Sequence, residues 1–225
     1  ASQIEALIES VELNIWPAEL LASAVPLEML TTFLGRGRHS AQGDSDVFLV
    51  KTQHVQQDHY VPTTLRLDHA SAARTDEDSL LQDGDIMIAC SAAGCLGRVA
   101  RYREDGKSAT TDSHVAIARP LSDLVDPEYL YAYLRGAQGQ IQLRSRERGD
   151  WKREKVGFRL TELNLRDLKQ VPVPLPNKTQ QHKIVAEIRA VQNRMANLRV
   201  LQAQTAAELD ALLPSILNRA FKGEL

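Results

Sequence analysis

The chain has 225 residues, 43% of them apolar, and a net charge of −2. That is enough for one ordinary core, or one core plus an extended appendage, and too little for two full-sized domains. No stretch approaches the roughly 18–20 consecutive apolar residues of a membrane span, and Ala1-Ser2-Gln3-Ile4-Glu5 lacks the basic-then-apolar pattern of a secretion signal, so a soluble cytoplasmic protein with no membrane partner is expected.

In chain order, Ile4, Leu7, Ile8, Val11 and Ile15 fall on one face of a 3.6-residue period and predict an N-terminal helix with an apolar stripe. Short segments rich in β-branched and apolar residues follow. They predict strands over 47–52, 61–67, 85–89, 97–103, 114–119 and 156–160. Turn chemistry separates them at Gln82-Asp83-Gly84-Asp85, at 94–97 and at Glu104-Asp105-Gly106-Lys107. Asp126-Pro127-Glu128 then opens a helix through Leu134, with Asp126 as N-cap and Pro127 at the first helical position. The expected fold class is α+β: a globular domain over 1–172 with a mixed, β-rich core.

Charge is unevenly spread. Residues 135–159 carry eight Lys/Arg against three acids, a local charge of +5, while the remaining 200 residues sum to −7. A basic segment inside an acidic chain suits an anionic partner, and equally suits a solvated, salt-bridged loop.

Val171-Pro172-Val173-Pro174-Leu175-Pro176 cannot be helix interior and predicts a stiff, extended connector over 173–177. From 178 onward, apolar residues recur at alternating spacings of four and three: Ile184, Ile188, Val191, Met195, Leu198, then Leu209, Leu212 and Ile216, with Gln202 and Thr205 on the same seam. This is a heptad repeat. The segment 178–225 is therefore expected to form a long coiled-coil helix, about 60 Å from Lys178 to Ile216 at 1.5 Å per residue. Its seam should meet another helix, from a second copy, from a partner protein or partly from the chain's own N-terminal helix, those eight apolar residues forming the contact; the alternative is a seam lying on the chain's own core. Pro214 is expected to kink or restart it, leaving 215–221 as a separate turn.

No catalytic constellation stands out. G-x-G-x-x-G, P-loop and N-P-P-aromatic motifs are all missing from the sequence. Cys90 and Cys95 have no second CxxC and no nearby histidine pair, and His39, His54, His59, His69, His114 and His182 are scattered. Neither a metal site nor a bound cofactor is expected.

The connector, Gln180-Gln181-His182-Lys183-Ile184-Val185, and the tail Ser215-Ile216-Leu217-Asn218-Arg219-Ala220-Phe221-Lys222-Gly223-Glu224-Leu225 resemble the conserved-region helix of type I restriction-modification specificity subunits. Leu81-Gln82-Asp83-Gly84-Asp85-Ile86-Met87-Ile88, Ser113 to Pro120 and Pro127 to Leu134 are similar to that family's target-recognition domain. Typical members carry two such domains and two long helices. This chain has one of each, and Pro214 is unusual within the tail.

The resemblance implies a non-catalytic subunit that binds double-stranded DNA and pairs with a second copy on a bipartite palindromic site. It would work beside a methyltransferase subunit and a restriction/translocase subunit, which would carry S-adenosylmethionine and ATP. A full-length subunit cut to half fits the sequence equally. The physical demands of DNA contact, mobile cations for phosphates and Arg, Gln or Asn for bases, select Arg36, Arg38, His39, Lys51, Gln53, Arg144, Arg146, Arg148, Lys152 and Arg153 as candidates. The alternative is a dimeric coiled-coil scaffold whose head binds protein.

Overall fold

The computed structural model describes residues 15–57, 59–91, 94–149 and 161–223. The expected N-terminal helix up to residue 14 and the expected strand over 156–160 lie outside them. The elements are α1 (Ala18–Leu21), β1 (Ala24–Pro26), β2 (Thr31–Arg36), β3 (Phe48–Val50), α2 (His69–Ala73), β4 (Ile86–Ala89), β5 (Val99–Arg101), β6 (Ala109–Thr111) and β7 (Val115–Pro120). After them come α3 (Pro127–Arg135), α4 (Ala137–Arg144), β8 (Arg148–Gly149), β9 (Thr161–Glu162), α5 (Leu165–Lys169), β10 (Pro172–Pro174) and α6 (Lys178–Phe221).

The central sheet is antiparallel, in the order β2-β7-β4-β5. Its middle strand β4, Ile86-Met87-Ile88-Ala89, is buried on both faces, which explains an uninterrupted apolar run where alternation would mark a half-exposed strand. Ile86, Ile88, Val99, Ala116 and Ala118 face one core with Trp16, Leu30 and the α3 residues Tyr129, Leu130, Tyr133 and Leu134. Met87, Ala89, Ala100, Val115 and Ile117 face a second core with Val50, Val55 and Tyr102. A parallel pair, β3 with β6, flanks that second core.

Several expectations are corrected. Residues 61–67 form no continuous strand. They contribute single bridges to two different segments, Phe48 to Arg66 and Gln42 to Leu67, so no ladder runs along them. Strand β5 is shorter than the 97–103 expected. Strand β2 and helices α4 and α5 carry no clear periodic signal, and α4 contains Gly139. A Cβ there would sit 2.1 Å from the Tyr133 carbonyl oxygen, so glycine is what allows α4 to fold tightly back on α3.

The proline connector is also more than a spacer. Pro172–Pro174 pairs antiparallel with Ala24–Pro26, Val173 opposite Val25, and Val173 is buried. Tyr129 donates its hydroxyl to the Pro174 carbonyl at 2.9 Å and Tyr133 to that of Pro172 at 2.8 Å. Trp16 packs edge-on against both rings. Burial pushes both phenols up, Tyr133 to about 12, so both remain protonated donors at neutral pH.

Helix α6 runs 44 residues through Phe221, about 66 Å. It is continuous across Pro214, correcting the expected restart. Proline removes one backbone hydrogen bond, and the flanking turns retain their own. The seam divides along its length. Val185 and Ile188 belong to the head's core, Ile184 packs against it, and Met195 is buried. Beyond it, Leu198, Leu201, Leu209 and Leu212 are 44–57% exposed. Val191 is half-buried, and the Ile216 side chain lies outside those described. Of the alternatives for the seam, its start at Ile184 and Ile188 lies on the head's own core, so those two positions are corrected as contacts for a partner helix.

The two cysteines separate in environment. Cys90 is fully buried, and burial pushes its thiol up to about 11; Cys95 is partly exposed. Iodoacetamide on the native protein is expected to alkylate Cys95 and spare Cys90, since the thiolate is the nucleophile. Peptide mapping with and without denaturant checks this, and equal native labelling would contradict the buried placement.

Candidate nucleic-acid interface

Strand register brings one set of chain segments together. Arg36 of β2 lies opposite Ala116, Ala89 of β4 opposite Val115, and Val50 of β3 opposite Thr111. The C-terminal ends of β2, β3, β4 and β6 and the start of β7 therefore share one end of the fold. Loops 37–39, 51–56 and 112–114 emerge there, together with the β4–β5 connection, of which residues 92 and 93 are not described. The Asp112 N–H closes on the Val50 carbonyl at 3.0 Å. Strands β8 and β9 hang from the same end: Ser91 bridges Glu162, and the Leu163 N–H donates to the Cys90 carbonyl at 2.8 Å.

The close fit of this end requires Gly37. Its N–H donates to Thr111 Oγ1 at 3.1 Å, and a Cβ would fall 1.5 Å from the Thr111 carbonyl oxygen. No other residue allows the two backbones to approach so nearly.

Arg36, read from sequence as a cation for DNA, points inward. Its side chain is 16% exposed and is paired with Glu162 at 2.9 Å. It also donates to the carbonyls of Leu163 and Ser113. Its role here is to tie β2 to β9, and a guanidinium committed to these partners has little left to offer a phosphate.

The other candidates divide. Arg38 is exposed and paired with Asp76 at 2.8 Å. With His39, Ser71, Arg74, Thr75 and Thr110 it lines a polar cleft of about 220 Å³, a size and charge that suit an anionic oxygen cluster. Lys51 is half-buried and Gln53 exposed. Both neighbour His54, whose Nδ1 accepts from the Lys51 N–H at 3.0 Å. Burial lowers the His54 pKa below its ordinary value, so this ring is neutral at pH 7.

Arg148 forms a two-pronged pair with Asp167 at 2.6 and 2.9 Å, which holds the Asp167 carboxyl below the usual carboxylate range. The pair fixes the guanidinium on the exposed side of β8. Arg146 is held by the Gln142 carbonyl at 2.9 Å and its amide oxygen at 3.0 Å. Arg144 is exposed at the end of α4. Lys152 and Arg153 lie outside the described residues.

Sequence reading passed over four polar side chains here: Gln56 and Arg98, joined at 3.2 Å, and Ser91 and His114, joined at 2.7 Å. Each is unremarkable within its own segment. Pairs separated by 42 and 23 positions leave no local pattern. Among the described residues no group of three His, Cys, Asp or Glu side chains is placed to hold a metal ion, and no helix is long and apolar enough to cross a membrane.

Comparison with known proteins bears on this arrangement. The family model for the type I restriction modification DNA specificity domain matches residues 59–204. The specificity subunit of the type I restriction enzyme EcoBI from Escherichia coli is 30% identical over 147 residues, 65% of this chain and 29% of that protein. A chain from a structure on complex assembly and conformational transition of the type I R-M system superposes with a TM-score of 0.69 at 21% identity, over 99% of this chain and 52% of its own. The HsdS subunit from Thermoanaerobacter tengcongensis superposes with a TM-score of 0.60 at 22% identity, over 100% of this chain and 57% of its own. The chain thus spans about half the length of these solved relatives and less than a third of the E. coli one. With the family model covering well over half of its residues, the chain belongs to the type I restriction-modification DNA specificity family.

Proposed function

We propose that this chain reads DNA sequence for a type I restriction-modification complex without performing chemistry itself. The end of the fold gathering Arg38, His39, Lys51, Gln53, Arg98 and Arg148 is placed on one half-site. The observation that carries this reading is the convergence of five strand ends and their polar loops on one surface. Loops on a rigid scaffold are where recognition residues concentrate. Lys and Arg charges supply the electrostatic, sequence-independent part of affinity. Methyl transfer with S-adenosylmethionine, and ATP-driven chemistry, fall to methyltransferase and restriction subunits that dock on the chain.

The exposed distal seam of α6, Leu198, Leu209 and Leu212, supports pairing with a second copy. Large apolar side chains at heptad spacing on a protruding helix are stabilised by a partner helix. A twofold pair would set two identical heads on a palindromic, bipartite target. Their separation would be roughly one to two DNA turns, set by a helix of about 66 Å.

Two measurements on the full chain test this. Fluorescence anisotropy on duplex DNA should show the association constant falling steeply between 50 and 200 mM salt, with log K losing about 0.9 per log unit of salt for each phosphate contacted. Light scattering should report a dimer that Leu209→Asp/Leu212→Asp converts to monomer while the head still melts cooperatively. Salt-insensitive or undetectable DNA binding by an intact dimer would favour a protein-binding scaffold and overturn the DNA reading. A monomeric wild-type chain would overturn the paired arrangement.

A further inference from the structure

The cations of this surface account for affinity and leave open which side chains discriminate bases. Ser91 and His114 are the pair that none of the roles above employs. Ser91 follows β4, and His114 precedes β7. The Ser91 Oγ and His114 Nδ1 are 2.7 Å apart, and the imidazole is exposed.

The backbone beneath the ring is held from two sides. The His114 N–H donates to Asp112 Oδ1 at 2.9 Å, and its carbonyl accepts from the Cys90 N–H at 2.8 Å. Asp112 is in turn tied to Val50, and Ser91 bridges Glu162 of β9. Four elements therefore fix one imidazole at the end of the sheet, and among the described residues its Nε2 has no hydrogen-bond partner.

Phosphate contacts tolerate long, mobile side chains, because charge acts without a fixed angle. Discrimination between bases needs a donor or acceptor held within a narrow geometry. An imidazole anchored through Nδ1 meets that requirement with Nε2. The Ser91 hydroxyl can donate or accept, so it supports either neutral tautomer. With Ser91 donating, Nε2 carries the hydrogen and suits guanine O6 or N7, or thymine O4. With Ser91 accepting, Nε2 is the acceptor and suits the amino group of adenine or cytosine.

We propose that His114 reads one base pair through Nε2, and that Ser91 is the positioning residue that aims it. This rests on the DNA-reading function proposed above and adds to it a named specificity determinant.

The test is selection from a randomised duplex library by the purified full chain with whatever subunits co-purify, followed by sequencing of the bound fraction. Wild type, His114→Ala, Ser91→Ala and Ser91→Thr are compared. The expected result is that His114→Ala loses discrimination at one position of the enriched motif, on the order of 5- to 150-fold, while the other positions persist. Ser91→Ala degrades that same position in part, and Ser91→Thr, which keeps a hydroxyl, preserves it. A purely structural role would not produce a change confined to one position.

Uniformly weaker binding by His114→Ala with the motif intact would make His114 a phosphate contact and overturn the assignment alone. An unchanged motif with unchanged affinity would do the same. A wild-type chain that enriches no motif would overturn the DNA-reading function, and the assignment with it.

Discussion

Replacing Arg119 by alanine is expected to destabilise the head by about 3–5 kcal/mol, because it leaves a buried carboxylate without its counter-charge. Asp85 is fully buried. Arg119 grips it with two nitrogens, each 2.9 Å from a carboxylate oxygen, and also donates to the Leu80 carbonyl at 2.7 Å. The Gln82 N–H supplies the remaining bond to Asp85, at 2.8 Å. Without the guanidinium, one backbone N–H would face a full negative charge in the protein interior. Urea unfolding should register the loss as a lower midpoint with an unchanged slope. The double variant Asp85→Leu/Arg119→Leu should recover most of the deficit, since a buried ion pair replaced by apolar groups is often close to neutral. A loss below about 1 kcal/mol for Arg119→Ala would mean that Asp85 finds another partner or water. The pair also explains the Asp of Leu81-Gln82-Asp83-Gly84-Asp85: it is a structural clamp between β4 and β7, at the opposite end of these strands from the surface proposed to face DNA.

Gln181→Leu is expected to cost about 2–4 kcal/mol, enough to lower the melting temperature by roughly 5–15 °C in a chain of this size. The amide of Gln181 has no solvent exposure and makes three bonds. Its oxygen accepts from the Asp126 N–H at 2.7 Å, and its nitrogen donates to the carbonyls of Leu124 at 3.0 Å and Pro176 at 2.8 Å. Leucine matches much of the volume but leaves a buried amide site without polar partners and takes the bond from three partly buried backbone groups. Gln180, exposed one position earlier, is the control, and Gln180→Leu should change stability by less than about 0.5 kcal/mol. Equal melting curves for the two variants would remove Gln181 from any structural role.

The position of Gln181 gives it a second consequence. Asp126 caps α3 through the N–H groups of Glu128 and Tyr129, and Glu128 receives Arg101, Arg103 and Arg189. Gln181, in the first turn of α6, and Arg189, about two turns further on, thus fasten this helix to the start of α3. The direction in which the long helix leaves the head is set by these contacts. In a paired arrangement that direction, together with helix length, would fix the spacing between half-sites, so Gln181→Leu would broaden the spacer preference as well as lower stability.

Much of this organisation was already present in the amino-acid order. The apolar run of β4, the Asp126-Pro127 start of α3, the unbroken helical composition after residue 178 and the heptad seam are local signals, each a matter of propensity, capping or period. What the tertiary structure alone decided is who meets whom. The proline-rich segment became a buried strand because β1, almost 150 positions earlier, lies beside it. Arg36 became an internal tie because Glu162, 126 positions away, faces it. The start of the heptad seam, Ile184 and Ile188, went to the head's own core, while Leu198, Leu209 and Leu212 stayed exposed. Ser91 and His114 became a pair only when β4 and β7 came into register. Period and composition record which side of a segment is apolar; they carry no record of which distant segment will cover it, and that choice settled both the core and the surface proposed here to read DNA.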